Sequence, residues 1–448
     1  MKTIAASLLL TMMLALPPSS RAEEGGPALS LGEAVRIALA NNHALLSERD
    51  KLRASEAGVG EAVSAFLPRV NVSETFMRSD NPVAVFGAKL NQRGFTASDF
   101  AIDRLNNPSP VNDWGLQVEV IKPLFDGGRE FVGLKRARLG ELSARMALER
   151  ARMETVYEVA QAYWGVALAG RYVEAAELAK KSTEGHLKLA QALYGQGMVI
   201  GSEVLLAKVR LAEVDEMLIT ARDRLATAKA ALNMALARPQ DTPFTASDAL
   251  EYREFNGSLS GLMAEALKRR PDLKGMDADV RGMDEGVRMA RTDYLPSLDL
   301  IGRYNLDTRD LAGRGGDSYT IMGQVTWNIF DGFLTTNRVR EAGAKRNALS
   351  HAYDGMREEA LFEVRKAFYD LDAARQRIEV SSAAVSEGEE SLRILKDRFR
   401  AGMARTIDVL DAETALTRAR TNRAQALYDY NVALAALDLA VGREGVSP

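Results

Sequence analysis

Two aspartates in the second half of the chain, Asp408 and Asp411, have the spacing that best fits a functional site. The segment 408–441 is predicted to be helical, and side chains three positions apart lie on one face of a helix. Paired carboxylates on such a face attract cations and repel anions. Asp408 has a simpler alternative role, because an acidic side chain in a first helical turn is stabilised by the helix dipole, and Thr406 is a candidate N-cap. Asp411 lies a turn deeper, where that alternative is weaker.

The remaining residues do not suggest catalysis or metal binding. The three histidines, His43, His186 and His351, lack the spacing of metal ligands, and the chain has no cysteine. It also has no glycine-rich phosphate loop joined to a strand. We therefore expect no enzyme activity, no cofactor and no metal site. The absence of cysteine also excludes disulfides and a lipid-modified N-terminal cysteine.

The N-terminus has the features of a secretory signal peptide. Lys2 precedes the apolar run 4–16, which is too short to span a bilayer, and small residues follow at the spacing of a cleavage site. We predict that residues 1–22 are removed, which changes the net charge from -3 to about -5. This mild acidity argues against a nucleic-acid partner.

The mature sequence is duplicated. Residues 30–69 match 258–297, and residues 116–238 match 321–443; Leu67-Pro68 recurs as Leu295-Pro296. We divide the chain into a signal peptide (1–22), a first repeat (23–240), a join (241–257), a second repeat (258–443) and a tail (444–448). A repeat this long indicates one supersecondary unit used twice.

Each repeat mixes helices with short strands. In the first, helices are predicted to about residue 66, strands around 70–76 and 116–121, a long loop over 79–112, and a helical hairpin formed by 131–194 and 203–237. In the second, the matching hairpin spans 335–399 and 408–441. Alternating apolar and polar residues indicate the strands. Each long helix would extend roughly 95 Å.

Four short strands per chain cannot close a barrel, and open edges within lipid would leave amide groups unpaired. If the strands lie in a membrane, several chains must combine them. Three chains would supply twelve strands, within the range of outer-membrane barrels. Six helical hairpins would then extend below that barrel.

These features resemble the TolC family of outer-membrane efflux proteins over essentially the whole mature sequence. The resemblance rests on the duplication, on the Leu-Pro pairs, on Phe125-Asp126-Gly127 and its repeat, and most specifically on the run 406–412, Thr-Ile-Asp-Val-Leu-Asp-Ala. It implies an α+β membrane protein that forms a trimeric channel-tunnel. A twelve-stranded β-barrel would cross the outer membrane, and a long α-helical coiled-coil barrel would cross the periplasm. The implied function is the exit duct of a tripartite efflux pump or type I secretion system, with outer-membrane lipid, a periplasmic adaptor and an inner-membrane transporter as partners.

By the same resemblance, Asp408 and Asp411 match aspartates that ring the narrow periplasmic entrance, where crowding should raise some of their pKa values. Glu203 matches an acidic residue that bonds a tyrosine in the family, but Phe399 stands at that tyrosine position. A basic residue of the family is replaced by Ala404, and Arg405 is a candidate substitute. We therefore predict a gate at Asp408, Asp411, Glu203 and Arg405 with altered closed-state bonds.

The turns of the two hairpins are the expected contact with the adaptor, and they contain Gly197, Met198, Gly402 and Met403. The two glycines have an equally simple structural role, since glycine ends helices at low conformational cost. The alternative function is a periplasmic coiled-coil adaptor or scaffold without a pore. That alternative does not account for the duplicated strands or for the residues that bound them.

Overall fold

The computed structural model describes residues 26–445, so the predicted signal peptide lies outside the described residues. The helices are, in chain order, α1 (Leu31–Asn41), α2 (His43–Ser64), α3 (Pro82–Asn91), α4 (Ile102–Asn106), α5 (Arg129–Gly195), α6 (Gly201–Ala235), α7 (Leu259–Arg269), α8 (Pro271–Thr292), α9 (Leu334–Arg400) and α10 (Thr406–Val441). The strands are β1 (Ala28–Leu29), β2 (Arg69–Ser79), β3 (Val111–Asp126), β4 (Thr245–Ala246), β5 (Ser297–Thr308) and β6 (Gly316–Thr326). The order of elements repeats between the halves, while the proposed repeat boundaries stay a prediction.

The short helices begin at residues that stabilise a helix start. The backbone N–H of Glu33 donates to Ser30 Oγ (3.2 Å) and the N–H of Ser30 donates to the Glu33 carboxylate (3.1 Å), which completes a capping box at α1. In the second half, α8 begins with Pro271, whose fixed φ suits a first helical position. Both helix pairs end just before a strand that follows a Leu-Pro pair.

The strands β2, β3, β5 and β6 form one antiparallel sheet in the order β2-β3-β5-β6. Each half contributes two neighbouring strands, and the halves meet where β3 pairs with β5. Within the chain, β2 and β6 are edge strands with one side unpaired. Unpaired strand edges are ready to accept further strands.

The two faces of this sheet differ in polarity. In register across the four strands, Val72, Val118, Tyr304 and Tyr319 share one face, and Val72 and Tyr319 are 67% and 80% exposed. On the opposite face, Gln117 donates to the Asn305 side chain at 3.0 Å, and Arg303 forms an ion pair with Glu119 at 2.6 Å. An exposed apolar face opposite a polar face is the pattern of a barrel strand between lipid and an aqueous interior.

The long helices form two antiparallel hairpins. Helices α5 and α9 each contain 67 residues and pair with α6 and α10, respectively. Helix α5 also packs against α10, which joins the hairpins into a row with α6 and α9 at its ends. In residues 26–445, no helix has both the length and the apolar character required to cross a bilayer.

The hydrophobic core is divided into several clusters along the hairpins. The one nearest the N-terminal strand β1 contains Tyr163, Trp164 and Phe244. The hydroxyl of Tyr163 donates to the carbonyl of Leu29 (2.9 Å) and accepts from the N–H of Asp248 (3.0 Å). These bonds fix the join between the halves to α5.

The connection over 79–112 contains more regular structure than a long loop implies. It includes α3, α4 and a 3-10 turn over Ala97–Phe100. Arg93, in the left-handed region with φ +54°, forms an ion pair with Asp317 of β6 at 2.8 Å. The short helices of this connection lie among Asn, Pro and Gly residues, which are typical of loops, and the sequence analysis therefore did not predict them.

Candidate functional site at the hairpin tips

Both hairpins turn through the same local structure. Gly197 and Gly402 have φ values of +72° and +73°, in the left-handed region that glycine adopts with the least strain. The N–H of Met198 donates to the carbonyl of Leu193 (2.9 Å), and the N–H of Met403 donates to that of Arg398 (2.8 Å). This six-to-one bond after a left-handed glycine is a Schellman motif, which satisfies free carbonyl groups at the helix end.

The N-cap of α10 is Arg405, so the prediction that Thr406 is the cap is wrong. Arg405 has the extended backbone of a cap residue (φ -90°, ψ 158°), and Thr406 is the first helical residue. Thr406 is fully buried and its hydroxyl has no hydrogen-bond partner. The Asp408 carboxylate accepts the backbone N–H of Arg405 at 3.0 Å, so the polar side chain that satisfies the helix start is two positions later than the expected Thr406.

Asp408 also forms an ion pair with Arg405. Nη2 of Arg405 lies 3.0 Å from Oδ1 of Asp408. The hydrogen bond from this guanidinium, followed by the one from the Arg405 backbone, holds the pKa of Asp408 below its ordinary value. Within one chain, this shift is opposite to the increase predicted for crowded carboxylates. Asp408 therefore stabilises the start of α10, which was the simpler alternative for this residue. This role does not exclude a second role at the gate.

Asp411 lies three positions further along α10 and is exposed. It is beyond the first helical turn, so it does not cap the helix. The matching residue of the first hairpin is Leu206, which is 37% exposed. Only the second hairpin presents two carboxylates at this level.

Glu203, in the first turn of α6, is only partly exposed, and its Oε2 atom is buried without a hydrogen-bond partner. Phe399 is 2% exposed and packs its ring against His186, with ring centroids 4.7 Å apart. Because phenylalanine has no hydroxyl, it cannot provide the bond that a tyrosine would give Glu203. With phenylalanine at position 399, the buried oxygen of Glu203 thus lacks the donor that the family resemblance implies.

The two tips expose different surfaces. The first is apolar, with Tyr194, Met198 and Ile200 54%, 58% and 68% exposed. The second combines Met403, which is 71% exposed, with Arg405, whose side chain is 76% exposed. Clustered exposed apolar side chains at a protein tip indicate a contact surface.

A further carboxylate near this tip, Glu413, was missed by the sequence analysis. It is 3% exposed, and its oxygens accept hydrogen bonds from Ser182 (2.5 Å) and Thr183 (3.0 Å) of α5. Lys396 Nζ of α9 lies 3.2 Å from Glu413 Oε1. Glu413 follows Asp411 by two positions, which is about 200° around a helix. Glu413 is therefore on the side of α10 opposite Asp411, and this position in the sequence could have predicted that its side chain points into the protein.

The family model described as outer membrane efflux protein matches residues 34–238 and 262–443. The chain belongs to this family. The two matched segments cover most of both halves, in agreement with the duplicated element order. As an efflux protein of this kind, the chain is an outer-membrane channel with a large periplasmic part rather than an adaptor without a pore.

Individual relatives agree with this assignment. The channel is 26% identical over 427 residues to the alkaline protease secretion protein AprF of Pseudomonas aeruginosa, covering 93% of this chain and 85% of the relative. It is 23% identical over 405 residues to the outer membrane efflux protein BepC of Brucella suis, covering 90% and 83%. Relatives of this kind are channel proteins, not enzymes.

The crystal structure of the Campylobacter jejuni CmeC outer membrane channel has the same fold. The two align with a TM-score of 0.78 at 19% identity, covering 100% of this chain and 95% of that one. The predicted α+β fold with duplicated strands and hairpins is thereby confirmed.

Proposed function

We propose that three copies of this chain form one continuous channel-tunnel that serves as an export duct. The observation that carries this proposal is the amphipathic sheet with two unpaired edges, β2 and β6. In a bilayer, each unpaired amide costs several kcal/mol, roughly. Pairing β6 of one copy with β2 of the next removes every edge when three copies close a twelve-stranded barrel in outer-membrane lipid.

The helical row supports the same closure. Along α6, Leu205, Val209, Ile219 and Met234 are 62%, 57%, 70% and 65% exposed. At about 100° per residue, these four side chains lie within about 40° of one line. They form a stripe of exposed apolar side chains, interrupted by the exposed Glu216 and Asp223, on the helix at one end of the row.

Helix α9, at the other end, has a matching stripe of exposed apolar side chains, which is interrupted by the exposed Gln376 and Glu387. Phe362, Tyr369, Val380 and Ile394 are 64%, 58%, 71% and 43% exposed, again within about 40° of one line. Packing α9 of one copy against α6 of the next would cover both stripes and give a wall of twelve helices. The same neighbouring copy can therefore pair with a free edge of the sheet and cover the apolar stripe of the adjacent helix.

The duct works with a periplasmic adaptor and an inner-membrane transporter that supplies energy. Gly197, Met198, Gly402 and Met403, at the two turns, form the contact with the adaptor, because they are at the far end of the hairpins from the sheet. The names of the relatives refer to protease secretion and to efflux. Cargo selection therefore belongs mainly to the adaptor and transporter.

The gate is formed by Asp408, Asp411, Glu203 and Arg405 at the periplasmic end. Three copies would place six carboxylates of Asp408 and Asp411 around one axis, opposed by three guanidinium groups of Arg405. The net negative charge of this ring admits cations and repels anions. Glu203 lies at the matching position of the first hairpin and adds a third carboxylate per copy at this level.

Single-channel recording of the purified mature protein in a planar bilayer tests this proposal, beside the variant Asp408→Ala/Asp411→Ala. Small cation-selective steps are expected from the native protein. In the variant, only Glu203 and Arg405 of the gate keep their opposite charges, so the steps should grow and the cation-to-anion permeability ratio should fall toward one.

The matched control is Asp370→Ala/Asp372→Ala, which removes two exposed carboxylates of α9 far from the tip. It should conduct like the native protein. Unchanged selectivity in the Asp408/Asp411 variant would refute the gate while keeping the duct. A soluble monomer without channel activity would refute the trimeric duct itself.

A further inference from the structure

We propose that Glu413 is a latch residue: it holds α10, and with it Asp408 and Asp411, in the closed position by binding α5 and α9 together. This inference rests on the proposed gate and adds the intrachain contact that keeps it shut. Glu413 does not face the channel axis with the aspartates. It is a positioning residue that acts through the helix it shares with them.

The Glu413 carboxylate joins three helices. Ser182 Oγ and Thr183 Oγ1 of α5 donate to its two oxygens at 2.5 Å and 3.0 Å. Lys396 of α9 supplies the opposite charge at 3.2 Å and also donates to Ser182. Among residues 26–445, these contacts make Glu413 the centre of a polar cluster that connects the first hairpin with both helices of the second.

Burial makes this cluster dependent on docking. Glu413 is 3% exposed and Thr183 is 1% exposed. A buried carboxylate is stable only while its partners are in place, because the charge loses its hydration. When α10 moves away from α5, both hydroxyl donors are lost together, so the latch is either closed or broken.

The surrounding tip contributes little other polar bonding between the hairpins. His186 Nε2, Glu203 Oε2 and Thr406 Oγ1 are buried without hydrogen-bond partners in the part of the chain that the structure describes. Unsatisfied buried groups weaken the docked arrangement. Apolar contacts among residues such as Leu193, Val409 and Leu416 hold the tip core, but they are non-directional. The specific position of α10 therefore depends strongly on Glu413.

The test compares open-state occupancy and ion selectivity in single-channel recordings for three variants. Glu413→Gln keeps the side-chain shape and one acceptor oxygen but removes the charge. Ser182→Ala/Thr183→Val removes both donors of α5 and leaves the Lys396–Glu413 pair. The control Glu389→Gln removes a carboxylate that pairs with Arg420 at 2.7 Å across α9 and α10, without contacting α5.

Both latch variants should raise open-state occupancy about tenfold, equivalent to about 1.4 kcal/mol, with cation selectivity retained because Asp408 and Asp411 are intact. Combining them should add little, because both break one cluster. Glu389→Gln should match the native protein. Trimer melting in detergent, measured in parallel, should be unchanged.

Native occupancy in both latch variants would overturn the latch while leaving the gate in place. Loss of selectivity together with a lower trimer melting temperature would also overturn it, because that pattern indicates general collapse of the tip. Failure of the gate itself is recognised separately, as unchanged selectivity in Asp408→Ala/Asp411→Ala.

Discussion

Asp408 combines two roles that compete for one carboxylate. It accepts the backbone N–H of Arg405 and pairs with the Arg405 side chain, and both bonds lower its pKa. It thus stays ionised at neutral pH, and the guanidinium of Arg405 opposes its negative charge. Asp411 has no such role at the helix start. At the residue scale, Asp411 is therefore the stronger determinant of the electrostatic potential at the proposed entrance.

His186 gives the tip a predicted acid sensitivity. Burial lowers its pKa from the ordinary value of 6.5; Glu413 and Glu203 oppose the shift and Lys396 adds to it. A histidine whose pKa is depressed in the closed state binds its proton more readily when the tip is open. The closed state therefore loses stability as the pH falls below about 6.5, until His186 is protonated in both states.

We expect open-state occupancy of the native channel to rise between about pH 7.5 and pH 5, and His186→Gln to reduce that rise. His351→Gln, on α9, is the matched control. Recordings at both pH values measure the difference. An equal rise in the native protein and in His186→Gln would show that carboxylates, rather than His186, sense the acid.

At the scale of elements, the hairpins depend on helix ends as much as on helix faces. The turns after α5 and α9 use the same left-handed glycine and the same six-to-one bond. No neighbouring atom lies within 4 Å of a methyl group built on Gly402. Any cost of a side chain there comes from the backbone conformation alone.

Gly402→Ala should therefore destabilise the second tip by about 1 kcal/mol and speed amide exchange in residues 396–406 roughly fivefold. Gly343→Ala is the control. Gly343 lies inside α9 with open space around it, so this substitution should stabilise the helix by about 0.5–1 kcal/mol. Hydrogen exchange with mass spectrometry measures both. Unchanged exchange at the tip in Gly402→Ala would mean that the turn adopts another conformation at no cost.

At the scale of the whole molecule, one chain is an open segment of a larger wall. Its sheet has two free edges, whose unpaired amide groups are costly in a bilayer. Its helical row has exposed apolar side chains at both ends, which are costly to leave in water. In the proposed trimer, the same threefold rotation covers both edges of the sheet and both ends of the row. The fold and the assembly are therefore governed by one geometric requirement.

Ile219→Glu on α6 and Val380→Glu on α9 test this requirement, since each would bury a charge at the proposed contact. Each should lower the trimer association constant in detergent by at least tenfold, equivalent to about 1.4 kcal/mol, measured by light scattering. The control Leu311→Glu changes a similarly exposed residue, at 68%, outside both stripes. Intact trimers for both helix variants would place the contact elsewhere.

The sequence by itself determined the elements and their repetition. Period-two and helical patterns, Leu-Pro breaks and glycine turns act through neighbouring residues, so the strands and both hairpins occur where predicted. The amphipathic sheet and the carboxylates of Asp408 and Asp411 on one helix could also be read directly. The family resemblance then supplied an expected arrangement of these parts.

The tertiary structure decided what depends on residues distant in sequence. The position of the cap at Arg405 depends on which amide the Asp408 carboxylate reaches, and the order β2-β3-β5-β6 depends on how the halves meet. Glu413 is separated from its α5 partners by about 230 positions, as measured along the chain. No local sequence pattern predicts such a contact. The contact is energetically important because the carboxylate loses its hydration, and that loss occurs only when the helices pack together.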